Sequence, residues 1–198
     1  MKPMTEDLFS SNWLAEGHLR ITKFSLLTGE SFVVVDKRNM IMRPSTEVVA
    51  RGLAGLPNSA VSHLYLAYNN NNAYPANGYT ISESNVSFPR DSVTGLLRIP
   101  IVFPASIVPA GDESFQRLTF NVLVHQPNSY VVSGSPALNS GGGSGSDFFE
   151  AALVCQTDPL GSPSNISGDR VVARVAFERL AYDQAFNLTV SWGLKLSI

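Results

Sequence analysis

Charge is scarce in this chain: Lys, Arg, Asp and Glu make up 15% of its 198 residues, against roughly 25% in an average soluble domain. The net charge is -2 and Lys and Arg form no cluster. A nucleic-acid groove needs concentrated positive charge to displace counterions from phosphates, so nucleic acid is excluded as a partner. Cysteine is almost absent too. Cys155 stands alone, which rules out an internal disulfide, leaves a cysteine-based zinc site short of ligands and suggests a small buried apolar residue. No run of about 18 apolar residues occurs, and the opening MKPMTEDLFSSNWLAEGHL lacks the apolar centre of a secretory signal. A soluble, cytoplasmically made chain without a membrane partner is expected.

What replaces charge is Ser, Asn, Thr and Gly. A chain solvated by such residues reads as β structure with many loops, because they favour turns and tolerate strand surfaces. Residues 1–18 carry Leu8, Phe9, Trp13 and Leu14 at a spacing suited to a short amphipathic helix or an extended arm. Leu19, Ile21 and the run 32–35 then form a hairpin across Thr28-Gly29-Glu30. Pro44-Ser45-Thr46-Glu47 opens one helix of about three turns, with Val48, Val49, Leu53 and Leu56 at helical spacing before Gly55 and Pro57 end it. Alternation returns at Leu64, Leu66 and Tyr68 and stops at Asn69-Asn70-Asn71-Asn72, read as an exposed loop. Further strands are expected at 97–103, 118–124, 148–155 and 171–177.

The clearest strand is the last. Leu188, Val190, Trp192, Leu194, Leu196 and Ile198 alternate with Asn187, Thr189, Ser191, Gly193, Lys195 and Ser197, the period of a strand buried on one face and wet on the other. Strands 118–124 and 171–177 are partly apolar on both sides, as when two layers pack together. The expected fold is therefore mainly β: an antiparallel, jelly-roll-like β-sandwich with one short α-helix and an N-terminal arm. Residues 1–18 form that arm or a short helix, and 19–198 form a single domain. Residues 133–147 include Ser140-Gly141-Gly142-Gly143-Ser144-Gly145-Ser146 and read as a mobile loop inside this domain.

Catalysis finds no foothold. His18, His63 and His125 are far apart and lack the spacing of a helical metal site. Gly143-Ser144-Gly145 is low-complexity loop rather than a nucleophile elbow. Glu6-Asp7 and Asp112-Glu113 read as solvated carboxylates, not as a pair converging across a cleft. Neither catalytic residue, metal site nor cofactor is expected.

One likeness adds to this reading. Val35-Asp36-Lys37-Arg38-Asn39-Met40-Ile41 followed by the helix at 47–56, and then Ser62-His63-Leu64-Tyr65-Leu66-Ala67-Tyr68, resemble the opening of a family of tailed-bacteriophage virion proteins: tail fibre, head fibre or minor structural proteins. Phe149-Glu150-Ala151-Ala152-Leu153 resembles that family's EAGLF strand, and 170–177 with 187–198 resemble its ARxxF … LTVxWxLxx ending. The resemblance spans about 36–198. Asn69 to Asn72 replace the family's Gly/Thr loop, and Ala152 stands where it usually has Gly. The resemblance implies a non-enzymatic structural subunit of the virion, joined to capsid, neck or tail proteins as a decoration or fibre subunit. It also implies a homo-oligomer, with a trimer preferred. The alternative is a receptor- or carbohydrate-binding module. The residues singled out for contact with a partner or glycan are Phe9 and Trp13 in the arm, and Asn69, Asn70, Asn71, Asn72, Tyr74 and Tyr79, whose amides and rings suit sugar hydroxyls and faces.

Overall fold

The computed structural model describes residues 14–70, 94–102, 106–109, 115–125, 127–140, 145–156 and 168–197. Its elements are β1 (Leu14–Ser25), β2 (Ser31–Ile41), α1 (Pro44–Leu53), β3 (Val61–Asn69), β4 (Thr94–Pro100), β5 (Ser106–Pro109), β6 (Phe115–Val124), a 3-10 turn (Pro127–Tyr130), β7 (Asp147–Gln156), β8 (Asp169–Ala181) and β9 (Phe186–Ser197). Among the described residues the chain is mainly antiparallel β with one α-helix, as expected. β1 begins at Leu14, so 14–18 belong to a strand rather than to a separate arm. The strand expected at 97–103 runs instead over Thr94–Pro100. The short β5 had no signal in the sequence.

The nine strands form one sheet in the order β4-β3-β7-β8-β2-β1-β9-β6-β5. β2 joins its two halves unevenly. Its residues from Ser31 to Asn39 pair with β1, whereas only Met40 and Ile41 pair with β8. The sheet curls at this strand, and one apolar cluster takes side chains from both halves: Leu19, Val122 and Trp192 from one, Leu66, Leu153 and Val175 from the other. The opposite face of β3 and β7 is also apolar, where Tyr65, Ala67, Ala152 and Val154 pack with Met42, Val132 and Phe149. Central strands buried on both faces explain why their sequences alternate so weakly.

Local chemistry fits these elements. α1 starts at Pro44, carries Glu47 in its first turn and Arg51 in its last, and so matches its charges to the helix dipole. It ends in a Schellman motif: Leu56 N–H bonds to Arg51 C=O and Gly55 N–H to Gly52 C=O, with Gly55 at φ +65°. Gly29, in the β1–β2 turn, also has positive φ.

β9 buries Leu188, Val190, Trp192 and Leu194 and leaves the alternate residues partly exposed, as its sequence pattern required. Trp192 is held on two sides. Its indole N–H donates to Asn39 Oδ1 at 3.0 Å, and Asn39 lies over Gly17, where an added Cβ would come within 2.1 Å of that oxygen. Gly17 thus leaves the space in which Asn39 can satisfy a buried donor. Trp192→Ala is expected to cost about 3–5 kcal/mol of stability in urea unfolding. A loss below about 1 kcal/mol, the range of surface substitutions, would show that the two halves do not pack around Trp192.

Candidate functional site: an open hairpin and a cationic sheet face

Of the residues singled out from the sequence, Phe9, Trp13, Asn71, Asn72, Tyr74 and Tyr79 lie outside the described residues. Asn69 ends β3 and is 2% exposed, with its amide donating to Thr94 Oγ1 at 3.4 Å. Asn70 donates to the Ala137 carbonyl at 2.8 Å and accepts from Ser146 Oγ at 2.5 Å. Ser146 in turn exchanges hydrogen bonds with Asn139 through its N–H and its hydroxyl, and Leu138 is buried. Asn70 therefore ties the end of β3 to the flanks of the Gly/Ser loop, and Asn69 ties it to β4.

The central sheet face holds charges that the sequence did not single out. Arg98, Tyr65, Ala152 and Arg174 form one row across β4, β3, β7 and β8. Arg98 grips Asp169 with Nε at 3.0 Å from Oδ2 and a second guanidinium nitrogen at 3.2 Å from Oδ1, and the Tyr65 hydroxyl donates to the same carboxylate. Arg174 and Glu150, both fully buried, form a second pair. Burial pushes the Glu150 carboxyl up to about 9, and one of its oxygens has no hydrogen-bond partner. Burial, aided by the charge of Arg98, lowers His63 to about 4. Breaking a buried pair by removing one partner is far costlier than the pair's net contribution. The side chains of Arg98, Asp169, Arg174 and Glu150 are all buried in this network.

Cys155 is likewise structural: it is fully buried and its thiol donates to the Asn58 carbonyl at 3.3 Å. Among the described residues no group of three or more His, Cys, Asp or Glu could hold a metal ion, and no helix is long and apolar enough to cross a membrane.

The surfaces with unmet chemistry lie on the other half. Ten large apolar side chains are exposed among the described residues, and six of them sit on the β1–β2 hairpin: Phe24, Leu26, Leu27, Phe32, Val33 and Val34. Leu27, at the turn, is 87% exposed. No described strand pairs with the outer edge of β2 from Ser31 to Asn39. Phe32 to Val34 therefore face solvent on both sides of an unpaired edge, a surface that invites another chain. Beside the turn lies a half-open cavity of about 460 Å³, with Val124, Phe148, Tyr182 and Leu188 at its base and Asn128 and Gln184 at its rim.

The outer face of β6, β9, β1 and β2 carries a second depression of about 460 Å³, lined by Gly193 together with His18, Arg38, Arg117 and Lys195. Beside it His18 Nε2 and Arg20 approach Asp36 at 2.6 and 2.8 Å.

No family model, curated protein or solved structure matches the chain.

The two perturbed groups give stability opposite slopes with pH. Neutral His63 is favoured by the fold, so its contribution is complete above 6.5 and is lost as pH falls towards about 4. Glu150 is favoured in its protonated form, so its contribution is complete below 4.5 and is lost as pH rises towards about 9. Glu150→Gln removes only the second slope. The melting temperature of the variant minus that of the wild type is expected to grow steadily from pH 5 to pH 9, and parallel curves would show that Glu150 is ionised in the fold throughout.

Proposed function

We propose that this protein is a non-enzymatic assembly subunit of a bacteriophage particle, attached to capsid, neck or tail as a decoration or fibre subunit. The observation that carries this reading is the β1–β2 hairpin, whose six exposed apolar side chains flank an edge unpaired among the described residues. Surfaces of this kind are normally blunted by charge or covered by a partner. Here the charges Asp36, Lys37 and Arg38 follow the apolar run rather than interrupt it. The motif resemblance over 36–198 supplies the virion context, and the absence of a metal cluster among the described residues is compatible with it.

In this reading the two halves of the curled sheet act as the layers of a jelly-roll-like sandwich, supported by the single apolar cluster they share. The hairpin projects from one end as the contact for a second copy, with a trimer the preferred state, and for neighbouring virion proteins. Burial of a Phe or Val side chain is worth about 1.5–3 kcal/mol, so three or four of these residues suffice for a specific contact once the cost of association is met.

Phe32→Ser combined with Val33→Lys is expected to convert an oligomer into a monomer in sedimentation velocity, to abolish incorporation into particles, and to leave the melting temperature nearly unchanged, since both side chains are exposed. Wild-type protein that is monomeric at high concentration and absent from particles would overturn the proposal, as would a double variant that assembles normally.

A further inference from the structure

The sheet half that carries the hairpin also presents an outer face that no described residue covers, and its side chains fall into register as rows. One row runs Arg117, Lys195 and Glu16 across β6, β9 and β1. The next runs Thr119, Gly193, His18 and Arg38 across β6, β9, β1 and β2. A third runs Asn121, Ser191, Arg20 and Asp36. Gly193 lies inside the middle row and has no side chain to fill it, which creates the depression of about 460 Å³. An added Cβ there would meet its nearest neighbours, Arg117 Cδ and the His18 carbonyl, only at 3.9 Å. A Cβ there would make ordinary van der Waals contact, so packing does not demand a glycine at this position.

Among the described residues, the charges in these rows are unequal in number. The chain carries a net charge of -2, yet four of its cations, Arg20, Arg38, Arg117 and Lys195, stand in these rows against two carboxylates. One of those carboxylates, Asp36, is already engaged by Arg20 and His18. Arg38 and Arg117 are exposed and form no ion pair with a described residue. Their strands stand three spacings apart, a backbone separation of roughly 14 Å, and two such groups are too few to follow a nucleic-acid backbone. Beside them lie the Thr119 hydroxyl, the Ser191 hydroxyl, which donates to Asn121 Oδ1 at 2.7 Å and keeps its acceptor lone pairs, and the imidazole of His18, whose Nε2 faces Asp36. Guanidinium groups recognise carboxylate and phosphate oxygens, while hydroxyls and imidazole suit a neutral polyol.

We propose that this trough binds an acidic oligosaccharide, a short run of sugar rings bearing carboxylate or phosphate groups, with Arg38 and Arg117 holding the charged groups and a ring lying over Gly193. The site is separate from the hairpin and stands whether or not the protein is a virion subunit.

Isothermal titration of the full chain at about 0.15 M salt, where exposed long-range attraction is screened, tests it with defined probes: oligogalacturonate, a phosphate-bearing bacterial core oligosaccharide, neutral dextran, poly-L-glutamate and a single-stranded oligonucleotide. At least one acidic oligosaccharide is expected to bind and dextran is not, with the two acidic probes separating carboxylate from phosphate. Arg38→Ala and Arg117→Ala should each weaken binding by roughly tenfold or more, the usual loss for a charge-assisted hydrogen bond. Gly193→Leu should abolish it by filling the floor while the melting temperature stays put. Failure of both acidic oligosaccharides to bind, equal binding of poly-L-glutamate or the oligonucleotide, or full affinity in Gly193→Leu would each overturn the assignment. None of these outcomes depends on the sedimentation of the hairpin variant, so the two proposals fail separately.

Discussion

The divided pairing of β2 is the constraint on which the rest of the structure depends. A strand that gives its residues from Ser31 to Asn39 to β1 and only Met40 and Ile41 to β8 cannot lie flat in one continuous sheet. The sheet must bend there, and bending brings Trp192 and Leu19 to the same apolar cluster as Leu66 and Leu153. The same division leaves most of the outer edge of β2 without a described partner. Core and open edge are two consequences of one hydrogen-bonding decision.

Once the sheet curls, its two halves meet different fates. The β4-β3-β7-β8 half is apolar on both faces, and its buried ionisable groups are forced together, Arg98 with Asp169 as an ion pair and Arg174 against Glu150, whose carboxyl burial favours in the protonated form. Such pairs contribute little net stability, because desolvation offsets attraction, but they are costly to break. They restrict which arrangements of these four strands are tolerable. Tyr65 shows the same logic: its hydroxyl, on a buried strand, reaches the Asp169 carboxylate that already serves Arg98.

Much of this was legible in the sequence, and the parts that were not share a physical cause. The period of Leu188, Val190, Trp192 and Leu194 located β9 and its buried face, since one-sided burial prints itself as strict alternation. Pro44 and Gly55 bracketed α1 through backbone chemistry that does not depend on tertiary context. Burial of Arg98, Glu150, Asp169 and Arg174 was invisible, because a charged residue in a strand ordinarily marks a wet face and only a partner brought from another strand reverses that expectation. Asn69 was read as part of an exposed turn. Its side chain is buried because β4 brings Thr94 opposite it, a pairing of residues distant in sequence that no local rule reports.

Phe32, Val33 and Val34 mark the limit of sequence reading most sharply. Three consecutive apolar residues describe a strand covered on both faces as well as one open on both, and only the pairing of β2 separates the two. The neighbouring face of β6, β9, β1 and β2 looks ordinary by composition, since Arg20, Arg38, Arg117 and Lys195 are scattered over four stretches of chain. Antiparallel register gathers them around Gly193. Among the described residues, the exposed apolar edge and the cationic trough thus both lie on the β2-β1-β9-β6-β5 half of the sheet. The β4-β3-β7-β8 half instead turns most of its polar groups inward, as Arg98, Tyr65 and Asp169 do.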